Sequence, residues 1–90
     1  MMGSTRQNGT RIKVFTTETC GWCKAAKAYL TDNGYEFAAV DIIHDLAARR
    51  EMVVMTGQYG VPVVLVGDTA MVGWDHEEFE RLLDEWNRTA

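Results

Sequence analysis

Only two cysteines occur in the chain, Cys20 and Cys23, and they stand three residues apart. A pair this close cannot staple distant parts of a fold, and thiols in a reducing cytosol normally stay unpaired. The spacing therefore points to thiol–disulfide exchange, with one sulfur attacking a disulfide and the other displacing it. The rival use of a C-x-x-C pair is half of a zinc site, which needs two further ligands. His44 and His76 are the only histidines, isolated from each other, and no second cysteine pair exists. Both histidines read as surface or helix-start residues, and no metal is expected.

Exchange chemistry needs one sulfur exposed and favoured as thiolate, and a helix start supplies both conditions. Its free N–H groups and partial positive charge favour an anion. Arg11–Thr16 is predicted as a strand by its β-branched and aromatic residues. From Cys23 onward the pattern is helical, with Cys23, Ala26 and Leu30 on one face and Asn33-Gly34 as its end. Cys20 thus falls at or beside the first helical position as the expected nucleophile. Cys23, one turn further in, is the resolving thiol. Lys24 would add positive charge near the Cys20 sulfur, and Glu18 would oppose it.

Tyr35–Ile42 is predicted as a second strand, so the first two strands form a βαβ unit and run parallel. His44–Thr56 is predicted as a helix closed by Gly57. Val61–Val66 reads as a central strand buried on both faces, Gly67-Asp68 as a turn, and Ala70–Gly73 as an antiparallel partner. Asp75 and Glu78 make a capping-box pattern before an apolar stripe of Phe79, Leu82, Leu83 and Trp86. The order βαβαββα gives an α/β fold, a four-stranded mixed sheet flanked by three helices.

Ninety residues suit one small domain. Residues 1–10 are polar, without the apolar core of a signal peptide, and read as a flexible leader to a domain over residues 11–90. No apolar run approaches the ~20 residues of a membrane span, so no membrane association and a cytoplasmic setting are expected. The formal net charge is −4, and residues 75–88 carry all of the excess, with six acids and two bases. The rest balances, and no basic stripe is present to neutralise phosphates, which excludes nucleic acid as the expected partner.

Three stretches in order resemble the glutaredoxin family of the thioredoxin superfamily: Thr16-Thr17-Glu18-Thr19-Cys20-Gly21-Trp22-Cys23, then Gly57-Gln58-Tyr59-Gly60-Val61-Pro62, then Val72-Gly73-Trp74-Asp75. The resemblance covers residues 11–88 and is greatest to short bacterial glutaredoxin-like proteins, among them redoxins that serve ribonucleotide reductase. It implies a thioredoxin-like fold and a disulfide oxidoreductase with Cys20 and Cys23 as catalytic residues. It also implies a cis Pro62 lying against the cysteine pair, with Val61 pairing its backbone with an extended substrate. Gly73 matches the first glycine of a pair where backbone approaches a bound thiol, and Asp75 matches an acid at the amino end of glutathione. Gln58 falls in the thiol-binding loop. Trp22 would be an exposed aromatic on the rim.

The chain departs from that pattern in ways that bear on its electron donor. Thr17 replaces a lysine, Tyr59 replaces an arginine and Trp74 replaces the second glycine. With two cations missing from the glutathione site, a flavoprotein reductase of the thioredoxin reductase type is expected to regenerate the dithiol better than glutathione. Another small thiol such as mycothiol is an alternative donor. No cofactor beyond the redox-active disulfide is expected, and the chain is expected to act on disulfide-containing proteins as a monomer. The alternative that the resemblance admits is an iron–sulfur cluster carrier or sensor, with the cluster held between two protomers by the first cysteines and two glutathiones.

Overall fold

The computed structural model describes residues 12–89; the expected leader over residues 1–10 lies outside them. The elements are β1 (Ile12–Thr16), α1 (Gly21–Asp32), β2 (Ala38–Asp41), α2 (Leu46–Thr56), β3 (Val63–Val66), β4 (Thr69–Val72) and α3 (His76–Thr89). The sheet order is β2-β1-β3-β4. β1 runs parallel to β2, as the crossover through α1 requires, and antiparallel to β3, which pairs antiparallel with β4.

Period-two alternation divides the central strands between two cores. Ile12, Val14, Val64 and Val66 face one side, where Leu30 of α1 and Phe79 and Leu82 of α3 cover them. Phe15, Val63 and Leu65 face the other, where Ala48 and Met52 of α2 cover them. The buried residues of α1 are Cys23, Ala26 and Leu30, the face read from the sequence. Burying a side chain the size of Leu30 or Phe79 stabilises by about 1.5–3 kcal/mol, so these few residues outweigh any single helix cap.

Several features differ from the sequence reading, and β4 among them spans Thr69–Val72 rather than Ala70–Gly73. β2 begins at Ala38 rather than Tyr35. The Tyr35 N–H is already committed to the Leu30 carbonyl at 2.9 Å, closing α1, and its hydroxyl donates to Glu80. α2 begins at Leu46 rather than His44, because Asp45 is its N-cap and His44 sits in a turn against Asp41. β3 begins at Val63 rather than Val61; Pro62 has no N–H to give a ladder, and the Val61–Pro62 bond is cis. The capping box at α3 is half formed. Asp75 accepts from the Glu77 and Glu78 N–H groups, but the Glu78 carboxylate pairs with Arg81. The β3–β4 turn requires glycine twice over: Gly67 has φ 64°, and the Trp86 indole occupies the space a Cβ there would need.

Candidate active site

Cys20 is the N-cap of α1, with extended backbone angles (φ −88°, ψ 115°), and its Sγ accepts the Cys23 N–H at 3.1 Å. The sulfur therefore takes one of the amides that a helix start leaves without a backbone acceptor. The first helical bond runs from the Lys24 N–H to the Cys20 carbonyl. Cys20 is half-buried and Cys23 is fully buried. Burial pushes the Cys23 thiol above its ordinary value of 9.0, and the hydrogen bond with Cys20 pushes it the same way. The Thr16 hydroxyl and the Thr17 backbone pull in the opposite direction. Thr16, the last residue of β1, is a buried polar residue whose hydroxyl bears on the inner thiol.

The three sequence stretches meet here. The Cys20 thiol donates to the Val61 carbonyl at 3.8 Å, across 41 residues. The next carbonyl, of buried Pro62, accepts the Gly73 N–H at 2.8 Å. Gly73 has φ 90°, a conformation that disfavours any side chain, and the space where a Cβ would stand is open. Trp22 is 67% exposed on the rim beside the cysteines. Asp75 is exposed and caps α3.

Gln58 is placed differently. Its amide oxygen accepts the Gly60 N–H at 2.7 Å and its amide nitrogen donates to the Gly60 carbonyl at 3.1 Å, so the side chain brackets its own loop. Tyr59 is exposed, and the Arg49 guanidinium lies over its ring, 5.0 Å from the centroid. That cation comes from α2, and no local motif announced it. Trp74 packs on Tyr29 and Phe79, with ring centroids 5.4 and 5.6 Å apart. Tyr29 and Tyr35 both donate to the Glu80 carboxylate, at 2.6 and 3.0 Å, tying α1 and the loop after it to α3. Glu80 pushes the Tyr29 hydroxyl up to about 12. At the end of β2, Asp41 and His44 pair at 2.9 Å, which lowers the Asp41 carboxyl and raises the His44 imidazole from their ordinary values.

Comparison with known proteins agrees with this geometry. The family model for glutaredoxin matches residues 12–71. A glutaredoxin-like 8.6 kDa protein in the rubredoxin operon of Clostridium pasteurianum is 35% identical over 74 residues, covering 82% of this chain and 99% of the relative. Glutaredoxin 3 of Escherichia coli K12 is 33% identical over 64 residues, 71% of this chain and 77% of that protein. Among solved structures, the glutaredoxin-like NrdH-redoxin of Escherichia coli, described as having a thioredoxin-like activity profile, superposes with a TM-score of 0.70. It shares 27% identity, and the match covers 81% of this chain and 95% of that one. The four-stranded mixed sheet with three helices is the thioredoxin-like fold of these neighbours.

Proposed function

The chain belongs to the glutaredoxin family of thiol–disulfide oxidoreductases, and from that premise we propose that it is a dithiol reductase of protein disulfides. The Cys20 thiolate attacks one sulfur of a substrate disulfide, forming a mixed disulfide and releasing the first substrate thiolate. Cys23, having given up its proton, attacks the Cys20 sulfur. The second substrate thiol leaves, and Cys20 and Cys23 become a disulfide that has passed two electrons to the substrate. The observation that carries this reading is the asymmetry of the pair, a half-buried sulfur capping a helix in front of a fully buried thiol. Val61, Pro62 and Gly73 supply the backbone surface that an extended cysteine-containing segment would meet. Trp22 and Asp75 form its edges, and Gln58 contributes by holding the loop in front of Val61.

For the electron donor we favour a flavoprotein reductase over glutathione. Thr17 holds no charge where glutathione recognition would use a lysine, and Glu18 adds an acid beside the nucleophile. Each charge-assisted contact is worth about 1.5–3 kcal/mol, so losing the one at Thr17 weakens binding by ~10-fold or more. The thioredoxin-like activity profile of the related redoxin points the same way. A reducing compartment, the cytoplasm, suits a working dithiol of this kind.

The experiment is a trap combined with a turnover assay. Cys23→Ser accumulates a mixed disulfide through Cys20, seen by mass spectrometry, because no inner thiol remains to displace the substrate. A Cys23→Ser protein that turns over protein disulfides at the full rate defeats the dithiol mechanism. Turnover of the unmodified protein is expected to be at least ~10-fold faster with NADPH and thioredoxin reductase than with glutathione and glutathione reductase; the reverse order defeats the donor assignment alone.

A further inference from the structure

The parallel register that sets Thr16 opposite Asp41 has a second result beside the cysteines. Both strands end together, held by the bond from the Ile42 N–H to the Thr16 carbonyl at 3.1 Å, and their continuations leave the sheet side by side. Glu18 on one continuation thereby meets Asp41 and His44 on the other. One donor atom from each of the three lies within 4.8 Å of the other two. They share a cleft of about 230 Å³ with Thr17, Thr19 and Ile43.

We propose that Glu18, Asp41 and His44 form a binding site for a first-row divalent transition metal ion such as Zn²⁺, with Glu18 two residues before the nucleophile Cys20. The donor set is one imidazole nitrogen and two carboxylate oxygens, without sulfur. That set suits Zn²⁺, Mn²⁺, Fe²⁺ or Co²⁺ with water completing the shell, and does not suit the softer thiophilic ions. The site is partly built. The Ile43 N–H holds Asp41 Oδ1 at 2.8 Å, fixing that carboxylate in the way outer hydrogen bonds orient metal ligands. Asp41 Oδ2 and His44 Nδ1 already stand 2.9 Å apart, close to the separation of neighbouring ligands about one ion. Glu18 and His44 are exposed and free to close the remaining distance. Among the described residues no lysine or arginine forms an ion pair with Glu18 or Asp41, so the cation to be displaced is the His44 proton shared with Asp41.

Occupancy would replace two negative charges next to Cys20 with a locally neutral or positive centre. Anionic disulfides, which Glu18 and Asp41 repel, would then approach more readily. In the sequence neither His76 nor a second cysteine pair is available to His44 as a ligand partner. Asp41 is its neighbour in the same turn, and strand register brings Glu18 to the pair.

The test uses protein whose Cys20–Cys23 pair is oxidised, so that no thiolate competes for the ion and the result is independent of the dithiol mechanism. Zn²⁺ is titrated calorimetrically into the unmodified chain and into His44→Ala, Glu18→Gln and Asp84→Asn. One saturable site is expected, weakened at least ~10-fold by either of the first two changes and unaltered by the third. Mn²⁺ added to the unmodified chain should broaden the amide resonances of residues 17–19 and 41–44 before any others. Zn²⁺ binding that is indifferent to His44→Ala, or broadening centred on the acidic α3 helix, overturns the proposal.

Discussion

Helices α1 and α2 begin in the same geometry with different atoms. Each N-cap has extended backbone angles and accepts the N–H three residues on, Cys20 Sγ from Cys23 at 3.1 Å and Asp45 Oδ1 from Ala48 at 3.0 Å. α3 follows α2, with the Asp75 carboxylate accepting from Glu77 and Glu78. A carboxylate is among the best residues for this task, and cysteine is not among the preferred ones. The difference shows what each helix start is for. At α2 the cap has no other duty, whereas at α1 the capping atom is also the reacting atom of the proposed exchange. When the Cys20 sulfur enters a disulfide it becomes a poorer acceptor, so the reaction is felt in the first turn of α1 and not in the other two helices.

The largest effect that would test this comparison comes from Cys20→Ser. Serine is a preferred cap, so the variant should lose all protein-disulfide reduction while its stability to urea stays level or rises by up to about 1 kcal/mol. A clear loss of stability would show that the sulfur does more for the fold than cap a helix. The mirror experiment is Asp45→Ala. Removing a cap with no chemical duty should cost about 1 kcal/mol in urea denaturation and leave disulfide turnover within about twofold of the unmodified rate. A large fall in turnover would mean that the two helix starts are not separable.

The smallest effect is in the alkaline limb of stability. Cys23 holds its proton more tightly in the folded chain than in the unfolded one. The folded state therefore binds more protons at high pH. The stability this confers is complete below the ordinary thiol value of 9.0 and is lost as pH rises through the raised value. Tyr29 has the same sign at higher pH, with its contribution intact below 10.0 and lost towards about 12. Urea midpoints across this range should fall less steeply in Cys23→Ala in the lower part and less steeply in Tyr29→Phe in the upper part. Parallel curves for all three proteins would remove the assigned causes.

Where local pattern and tertiary structure agree, the sequence was readable. Cys23, Ala26 and Leu30 on one helical face, Asn33-Gly34 as a helix end and Phe79 with Leu82 under the last helix all follow from spacing alone. The meeting of Cys20, Val61 and Gly73 was reached through family resemblance, since no periodicity links positions 20, 61 and 73. Residues whose partners are distant were missed. Thr16 against Cys23, Arg49 over Tyr59 and Glu80 between two tyrosines depend on register and helix placement, which composition does not encode. Gln58 was legible as a residue of the loop, but not its local bonds: its amide is used by the neighbouring glycine. The start of α2 was misplaced because His44 and Asp45 both suit a helix start, and only the Asp41 side chain decides between them.

The pairing of β1 with β3, which sets Ile12 opposite Val66, also bears on how the chain reaches this state. It is among the most non-local contacts of the sheet, and contacts of this kind are slow to form because a long loop must close first. Cys20 lies just beyond one end of β1, and Val61 lies just before β3. The contact between them therefore has no local precursor. The Val61–Pro62 and Gly73 backbone reaches Cys20 only where β1, β3 and β4 are paired. Cys20 stands 41 residues before Val61 in the chain, so the surface beside the outer sulfur is assembled at the step that completes the sheet.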